Sequence, residues 1–173
     1  MSAVGRSGSL VVSMVLMAML GGVGVHAARS EDIPVRPSIN ASALYMVDLK
    51  SRRVLLEKDA TRRLPPASLT KVMTALVALE AAPLQQVVKI DSRALGHRSS
   101  LKFQAGEEFL LRDLLTAMLV TSANDACEAV AWHVGGDADR FVTMMNERAR
   151  TLGLHDTHFA NACGFDAPGH YST

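Results

Sequence analysis

Residues 66–75 read PASLTKVMTA and place a serine and a lysine three positions apart, directly after a pair of prolines. Proline interrupts a helix but is tolerated at its start, so the sequence predicts a helix that begins at Ser68 and ends near residues 81–83. Ser68 and Lys71 then share one face of the first turn, with their Cβ atoms about 5–6 Å apart. Burial lowers the pKa of a lysine, and a neutral lysine amine can accept the proton of a nearby serine hydroxyl. The pattern therefore indicates Ser68 as a candidate nucleophile and Lys71 as its general base.

Serine and lysine also occur at this spacing by chance, and the chain contains a second copy, from Ser99 to Lys102. No helical periodicity follows the second copy, whereas Val72, Leu76 and Leu79 follow the first copy at helical spacing. Nothing would hold the second pair on one face. We therefore exclude Ser99 as the nucleophile.

A second polar group, Ser122-Ala123-Asn124, lies between two predicted helices. As site residues, Ser122 would relay a proton between Lys71 and a leaving group, and the Asn124 amide would hold a substrate carbonyl or orient the lysine. As structural residues, they would cap the helix that follows, because Ser and Asn are favoured at N-cap positions. The spacing alone favours the capping interpretation.

Hydrophobic periodicity predicts a mixed α/β domain in which a β-hairpin precedes a cluster of helices. The predicted strands cover residues 41–49 and 53–57, with a charged turn between them. Three helices are predicted after the first one, over residues 110–121, 125–134 and 137–152. The stretch between the first two helices and the residues after the last helix are predicted to be irregular.

The first 27 residues have the pattern of a secretory signal: one basic residue, Arg6, an apolar run over residues 10–20, and small residues before Ala27. This apolar run is shorter than the roughly 20 residues that a membrane-spanning helix needs. We therefore expect cleavage after Ala27, export to the periplasm or cell envelope, an extended segment over residues 28–38, and a domain from residue 39.

The charge balance excludes one class of partner. With 18 basic and 17 acidic residues, the formal net charge is +1. Proteins that bind nucleic acid through a basic face carry a larger excess of basic residues, so no nucleic-acid partner is expected.

The two cysteines, Cys127 and Cys163, are few for a fold that depends on disulfides. We therefore expect Cys127 to be a small buried hydrophobic residue rather than half of a disulfide. His155 and His158 could supply zinc ligands together with Cys163, but they follow a glycine that ends a predicted helix, and solvated loop histidines are the favoured interpretation. No metal and no cofactor are expected.

Residues 66–75 and the Ser122-Ala123-Asn124 group, taken together with their neighbours, resemble sequences of the serine D-alanyl-D-alanine carboxypeptidases. These are the low-molecular-mass penicillin-binding proteins of peptidase family S11. The resemblance covers residues 39–173, and residues 66–75 carry most of it, because the nucleophile motif Ser-x-x-Lys of that family follows Pro-Ala. Further strings match in the order of the family: Ser122 to Cys127, Phe141 to Asn146, Thr157 to Asn161, and Gly169 to Thr173.

The resemblance implies an α/β (α+β) fold of the penicillin-binding-protein and β-lactamase type, in which a helical cluster packs with an antiparallel sheet. It implies Ser68 as the acyl-ester nucleophile and Lys71 as the general base, and it changes Ser122 and Asn124 from capping residues to a proton relay and a substrate-binding residue. The implied partners are a peptidoglycan stem peptide ending in D-Ala-D-Ala, from which the terminal D-alanine is removed, and β-lactam antibiotics, which acylate the same serine.

Two departures from the family pattern stand out. Arg52 occupies the hairpin turn where the family usually has glycine, so either left-handed backbone there costs about 1 kcal/mol or the turn adjusts. The Lys-Thr-Gly element, which in the family lies on a later strand and binds the substrate carboxylate, is absent from the chain. We therefore expect residues 39–173 to be an incomplete catalytic domain that lacks the C-terminal sheet strands, with no membrane anchor in this chain. The alternatives are a DD-endopeptidase, a β-lactamase-related serine hydrolase, and a non-catalytic protein that binds peptidoglycan or a partner.

Overall fold

The structure, a computed structural model, describes residues 39–96 and 101–173. Residues 41–173 form one compact unit, to which all the helices and strands below belong. The expected signal sequence at residues 1–27, the extended segment at residues 28–38, and Ser99 lie outside the described residues. Among the residues that are described, no helix is long and apolar enough to cross a membrane.

The predicted β-hairpin opens the compact unit. Its strands, β1 (Leu44–Val47) and β2 (Val54–Lys58), pair antiparallel. The Asp48 carboxylate accepts a hydrogen bond of 2.6 Å from the backbone N–H of Ser51, which closes the turn. Arg52 has a φ of +59°, so of the two alternatives for this turn the structure shows the left-handed residue.

The described residues form four α-helices, and all four were predicted. Their bounds are α1 Thr70–Ala81, α2 Leu111–Thr121, α3 Asn124–Gly135 and α4 Ala138–Thr151. The first helix begins two residues later than predicted, because Ala67–Leu69 form a 3-10 turn ahead of it. Asp137 starts α4 by accepting a hydrogen bond of 2.7 Å from the backbone N–H of Arg140, as an N-cap residue does.

A second antiparallel sheet lies where irregular structure was predicted, so that prediction was wrong. It consists of β3 (Val87–Lys89) and β4 (Glu108–Leu110). Strands of three residues are too short to show the alternation of apolar and polar residues by which strands are identified. Val88 is fully buried, and the backbone N–H of Leu111 donates to the Gln86 carbonyl, so this sheet ties the start of α2 to the segment after α1.

The four helices pack around an apolar core. Its large, almost fully buried members include Phe141, Ile90, Leu111, Leu114, Met118 and Met145. On α1, however, Val72 and Leu79 are exposed, whereas Thr70, Lys71 and Thr74 are buried. Because α1 carries apolar residues on nearly all sides, periodicity does not identify its inward face. The inward face of α1 is mixed, because Met73, Val77 and Ala78 are buried together with these three polar residues.

Cys127 and Cys163 form a disulfide, so the expectation that Cys127 is an unpaired hydrophobic residue was wrong. Their Cα atoms lie 5.9 Å apart, within the range usual for disulfides. The two residues are 36 positions apart in sequence, and the chain after α4 must return across α3 to bring them together. The number of cysteines in the sequence carries no information about this return of the chain.

Candidate active site

Ser68 lies in the 3-10 turn that leads into α1. The backbone N–H of Leu69 donates to the Pro66 carbonyl at 3.1 Å, and Ala67 adopts a left-handed φ of +47°. The turn leaves Ser68 exposed, while Lys71, three residues later, points into the protein. A nucleophile accessible to substrate is thus placed next to a lysine that is shielded from solvent.

Lys71 is 2% exposed, and its ammonium group has three acceptors. Nζ lies 3.2 Å from Ser68 Oγ, 2.9 Å from Asn124 Oδ1, and 2.9 Å from the backbone carbonyl oxygen of Cys163. Three acceptors match the three donors of a lysine, so the position of Nζ is fully determined by α1, α3 and the chain after α4. The predicted approach of Lys71 to Ser68 is present in the structure.

Burial lowers the pKa of Lys71 below that of an exposed lysine, because removal from water disfavours the charged form. The negative charge of Glu128 on α3 opposes this effect. A lowered pKa increases the fraction of neutral amine at neutral pH, and only the neutral amine can accept the proton of Ser68.

Asn124 is the first residue of α3, and its side-chain oxygen accepts from Lys71 rather than closing the helix end. The N-cap residue of α3 is Ala123, and the Asp125 side chain accepts from the backbone N–H of Ala126 at 3.0 Å in the first turn. The structure therefore places the side-chain oxygen of Asn124 at the lysine, and its role in substrate binding stays a prediction.

Ser122 ends α2 in left-handed backbone, with a φ of +58°. It is exposed and lines a cavity of about 550 Å³ together with Ser68 and Lys71. The geometry brings Ser122 to the edge of the site. Its role as a proton relay stays a prediction.

A second cavity, of about 610 Å³, lies on the other side of Ser68. Its walls include Asn124 from α3 and Cys163, Gly164 and Phe165 from the chain after α4. Ser68 is thus open on two sides, with room for an acyl group and for a leaving group.

The wall of this second cavity is a tight loop, residues 161–165, which sequence analysis did not assign to the site. The Asn161 side-chain oxygen accepts from the backbone N–H groups of Cys163, Gly164 and Phe165, at 3.1, 2.7 and 3.0 Å. Gly164 has a φ of +88°, and a Cβ atom on it would overlap the Ala67 carbonyl group. An Asn followed three residues later by Gly is the only sequence signal for this loop, and it is weak.

His170 links Thr70, the first residue of α1, to the chain after α4. Its Nδ1 accepts from the backbone N–H of Ala160 at 2.9 Å, so the proton is on Nε2, which donates to Thr70 Oγ1 at 2.8 Å. Burial, and secondarily the neighbouring His158, lower the pKa of His170 and favour this neutral form. The buried Thr70 is thereby tied to the chain after α4.

The residues considered as zinc ligands are arranged for other contacts. The Cys163 sulfur is bonded to Cys127, and His158 Nδ1 donates to the Gly169 carbonyl at 2.7 Å. Over residues 39–96 and 101–173, no group of three or more His, Cys, Asp or Glu side chains could hold a metal ion.

An exposed serine thus lies against a buried lysine amine, and both cavities border the serine. The family model of the D-alanyl-D-alanine carboxypeptidases, peptidase S11, matches residues 29–173. The chain belongs to this family of serine peptidases.

Relatives and solved structures agree with this assignment. The D-alanyl-D-alanine carboxypeptidase DacC of Escherichia coli K12 is 35% identical over 159 residues, which are 85% of this chain and 40% of the relative. The crystal structure of DacD from Francisella tularensis matches with a TM-score of 0.76 and 34% identity, over 81% of this chain and 35% of that one. Penicillin-binding protein 6B from Escherichia coli matches with a TM-score of 0.74 and 33% identity, over 81% and 48% of the two chains.

These structural matches confirm the predicted fold, a mixed α/β fold of the penicillin-binding-protein type. The chain spans about two fifths of the length of the curated relative above.

Proposed function

We propose that this chain carries the nucleophile and the base of a serine D-Ala-D-Ala carboxypeptidase, which removes the terminal D-alanine from peptidoglycan stem peptides. The observation that carries the proposal is the distance of 3.2 Å between Lys71 Nζ and Ser68 Oγ, with the lysine buried and the serine exposed. The names of the relatives support the substrate class.

Acylation begins when the neutral Lys71 amine takes the proton of Ser68. Ser68 Oγ then forms a bond to the carbonyl carbon of the penultimate D-alanine, and the bond from that carbon to the nitrogen of the last D-alanine breaks. The departing nitrogen receives the proton from Lys71 through Ser122, while Asn124 positions the lysine and the substrate. Water afterwards cleaves the Ser68 ester, which releases the shortened peptide and restores the serine hydroxyl.

A β-lactam follows the same first step. Ser68 Oγ bonds to the lactam carbonyl carbon, the ring carbon–nitrogen bond breaks, and the nitrogen takes up the proton. The resulting ester is hydrolysed slowly, so a labelled β-lactam reports the acyl-enzyme directly.

The proposed substrate lies outside the cytoplasm, in the periplasm or cell envelope. Residues 1–27 support this location as a signal sequence, with residues 28–38 as an extended segment and residues 39–173 as part of the catalytic domain. Fusing residues 1–38 to a reporter that is active only after export tests the location; reporter activity supports export, and its absence contradicts it.

The test of the reaction is incubation of the chain with a fluorescent penicillin, followed by denaturing electrophoresis. We expect a covalent adduct that disappears in Ser68→Ala and persists in Ser51→Ala, a matched control at an exposed serine of the hairpin turn. A folded chain that acquires no adduct, or an adduct that survives in Ser68→Ala, would contradict the proposal.

A second measurement separates the alternatives. Release of D-alanine from a stem peptide supports the carboxypeptidase, whereas cleavage only of cross-linked dimers indicates an endopeptidase. Rapid loss of penicillin with recovery of free enzyme indicates a β-lactamase-like hydrolase. Binding of peptidoglycan without any adduct indicates a non-catalytic protein.

A further inference from the structure

The Cys127–Cys163 disulfide lies directly behind the lysine of the candidate site. Cys127 follows Asn124 by three residues on α3, so both face the same side of that helix. Cys163 supplies, through its carbonyl oxygen, another acceptor of Lys71. The bond therefore joins the two chain segments that supply Asn124 and Cys163 as acceptors of Lys71 Nζ.

The backbone beside the disulfide faces α1 at two successive carbonyl groups. Thr74 Oγ1 donates to the Ala162 carbonyl at 2.5 Å, and Lys71 Nζ donates to the Cys163 carbonyl at 2.9 Å. Lys71 and Thr74 are three residues apart on α1 and both are buried. The disulfide adds a covalent link from this segment to α3, so that α1, α3 and the 161–165 loop meet at Lys71.

We propose that the Cys127–Cys163 disulfide is a positioning element of the active site, which keeps the Cys163 carbonyl on Lys71 Nζ and keeps water away from the amine. This inference rests on the proposed acylation of Ser68. With the disulfide closed, the lysine is desolvated and aimed at Ser68. When the disulfide is open, the 161–165 loop separates from α3 and water reaches Lys71. A smaller fraction of the Lys71 amine is then neutral at neutral pH.

The direction of the effect follows from the charges around Lys71. Desolvation is the main cause that lowers its pKa, and Glu128 on α3 acts in the opposite direction. Water that enters replaces the Cys163 carbonyl as an acceptor of the ammonium group, so hydration removes the first effect and leaves the second, and the pKa rises when the disulfide opens. Each unit of rise reduces the neutral fraction of the amine about tenfold at neutral pH.

The experiment compares acylation rates of the oxidised and the opened chain with fluorescent penicillin between about pH 6 and pH 10. Dithiothreitol donates two electrons and two protons to the disulfide, which yields two thiols, and is itself oxidised to its cyclic disulfide. The chain has two cysteines, so the reductant has a single target. It is removed by gel filtration before the penicillin is added, and Cys127→Ser with Cys163→Ser gives a permanently open form.

We expect the opened forms to be acylated about tenfold more slowly at about pH 7, with most of the rate recovered at about pH 9.5. Phe141→Leu is the matched control, because Phe141 is a buried core residue on α4 and supplies none of the three acceptors of Lys71, so its pH profile should equal that of the oxidised chain. Recovery at high pH distinguishes hydration of the lysine, which raises its pKa, from a general loss of folded protein.

An opened chain that is acylated as fast as the oxidised chain at about pH 7 overturns the inference, and so does a loss of rate that is equal at every pH. Both results leave the proposed function intact. Failure of the oxidised chain to form an adduct at any pH instead overturns the proposed function itself.

Discussion

Replacing Gly164 by alanine tests whether the 161–165 loop and the nucleophile turn are packed as closely as the structure shows. A Cβ atom on Gly164 would overlap the Ala67 carbonyl group and come within 3.0 Å of the Ser68 backbone nitrogen. These are backbone atoms, which cannot rotate away, so either the loop or the turn that carries Ser68 must move.

The expected magnitude has two parts. A non-glycine residue at a φ of +88° costs about 1–2 kcal/mol, and inserting a methyl group into closely packed backbone adds about 1–3 kcal/mol. Gly153→Ala isolates the first part, because Gly153 has a φ of +76° and no atom within 4 Å of its Cβ position. The difference between the two variants therefore measures the contact with the nucleophile turn.

The assays are urea denaturation and the rate of acylation by fluorescent penicillin. We expect Gly164→Ala to lose about 1–3 kcal/mol more unfolding free energy than Gly153→Ala. A displacement of about 1 Å at a reacting group can cost about a hundredfold in rate, so Gly164→Ala should also be acylated at least about tenfold more slowly. Equal unfolding free energies and equal acylation rates in the two variants would refute the close packing.

Three further predictions concern stability. Asn161→Ala removes the acceptor of three backbone N–H groups and should lower the unfolding free energy by about 2–4 kcal/mol in urea, with Asn161→Asp losing less; equal losses contradict the role of the oxygen. Burial depresses the pKa of His170, so the folded chain binds fewer protons than the unfolded chain below about pH 6.5; stability should fall as the pH is lowered through that value, and an unchanged profile in His170→Gln contradicts this. Asp156→Ala removes the exposed ion pair with Arg63 and should cost less than about 1 kcal/mol by thermal melting, whereas a loss above about 2 kcal/mol would show that this pair is structural.

The parts of the site that sequence analysis placed are those whose geometry is local. Ser68 and Lys71 lie within one turn, so helical spacing is enough to bring their side chains together, although the helix proper starts at Thr70. Asn124 needed more than spacing, because a polar residue at a helix start is equally suited to capping. Only the hydrogen bond to Lys71 distinguishes the two functions of its side chain.

The parts that were missed depend on backbone groups and on the return of the chain after α4. The Cys163 carbonyl holds Lys71, yet any residue has a carbonyl, so no residue type marks such an acceptor. The close approach of Gly164 to Ala67 is likewise a property of two backbone segments that lie 97 positions apart in the sequence. Side-chain periodicity contains no information about either contact.

The disulfide was only half predictable from local sequence patterns, because helical spacing places Cys127 but not its partner. Once Asn124 is assigned to the site on α3, helical spacing already places Cys127 below it, on the side that faces α1. Helical spacing does not predict which later segment of the chain returns to that side of α3. The number of cysteines indicates only how common disulfides are in such chains, not which residue lies next to Cys127. The partner proves to be the residue whose carbonyl binds the lysine, since a chain close enough to accept from Lys71 is also close enough to be bonded to α3. The covalent bond and the hydrogen bond therefore both require the return of residues 161–165 to α1 and α3, which no local pattern predicts.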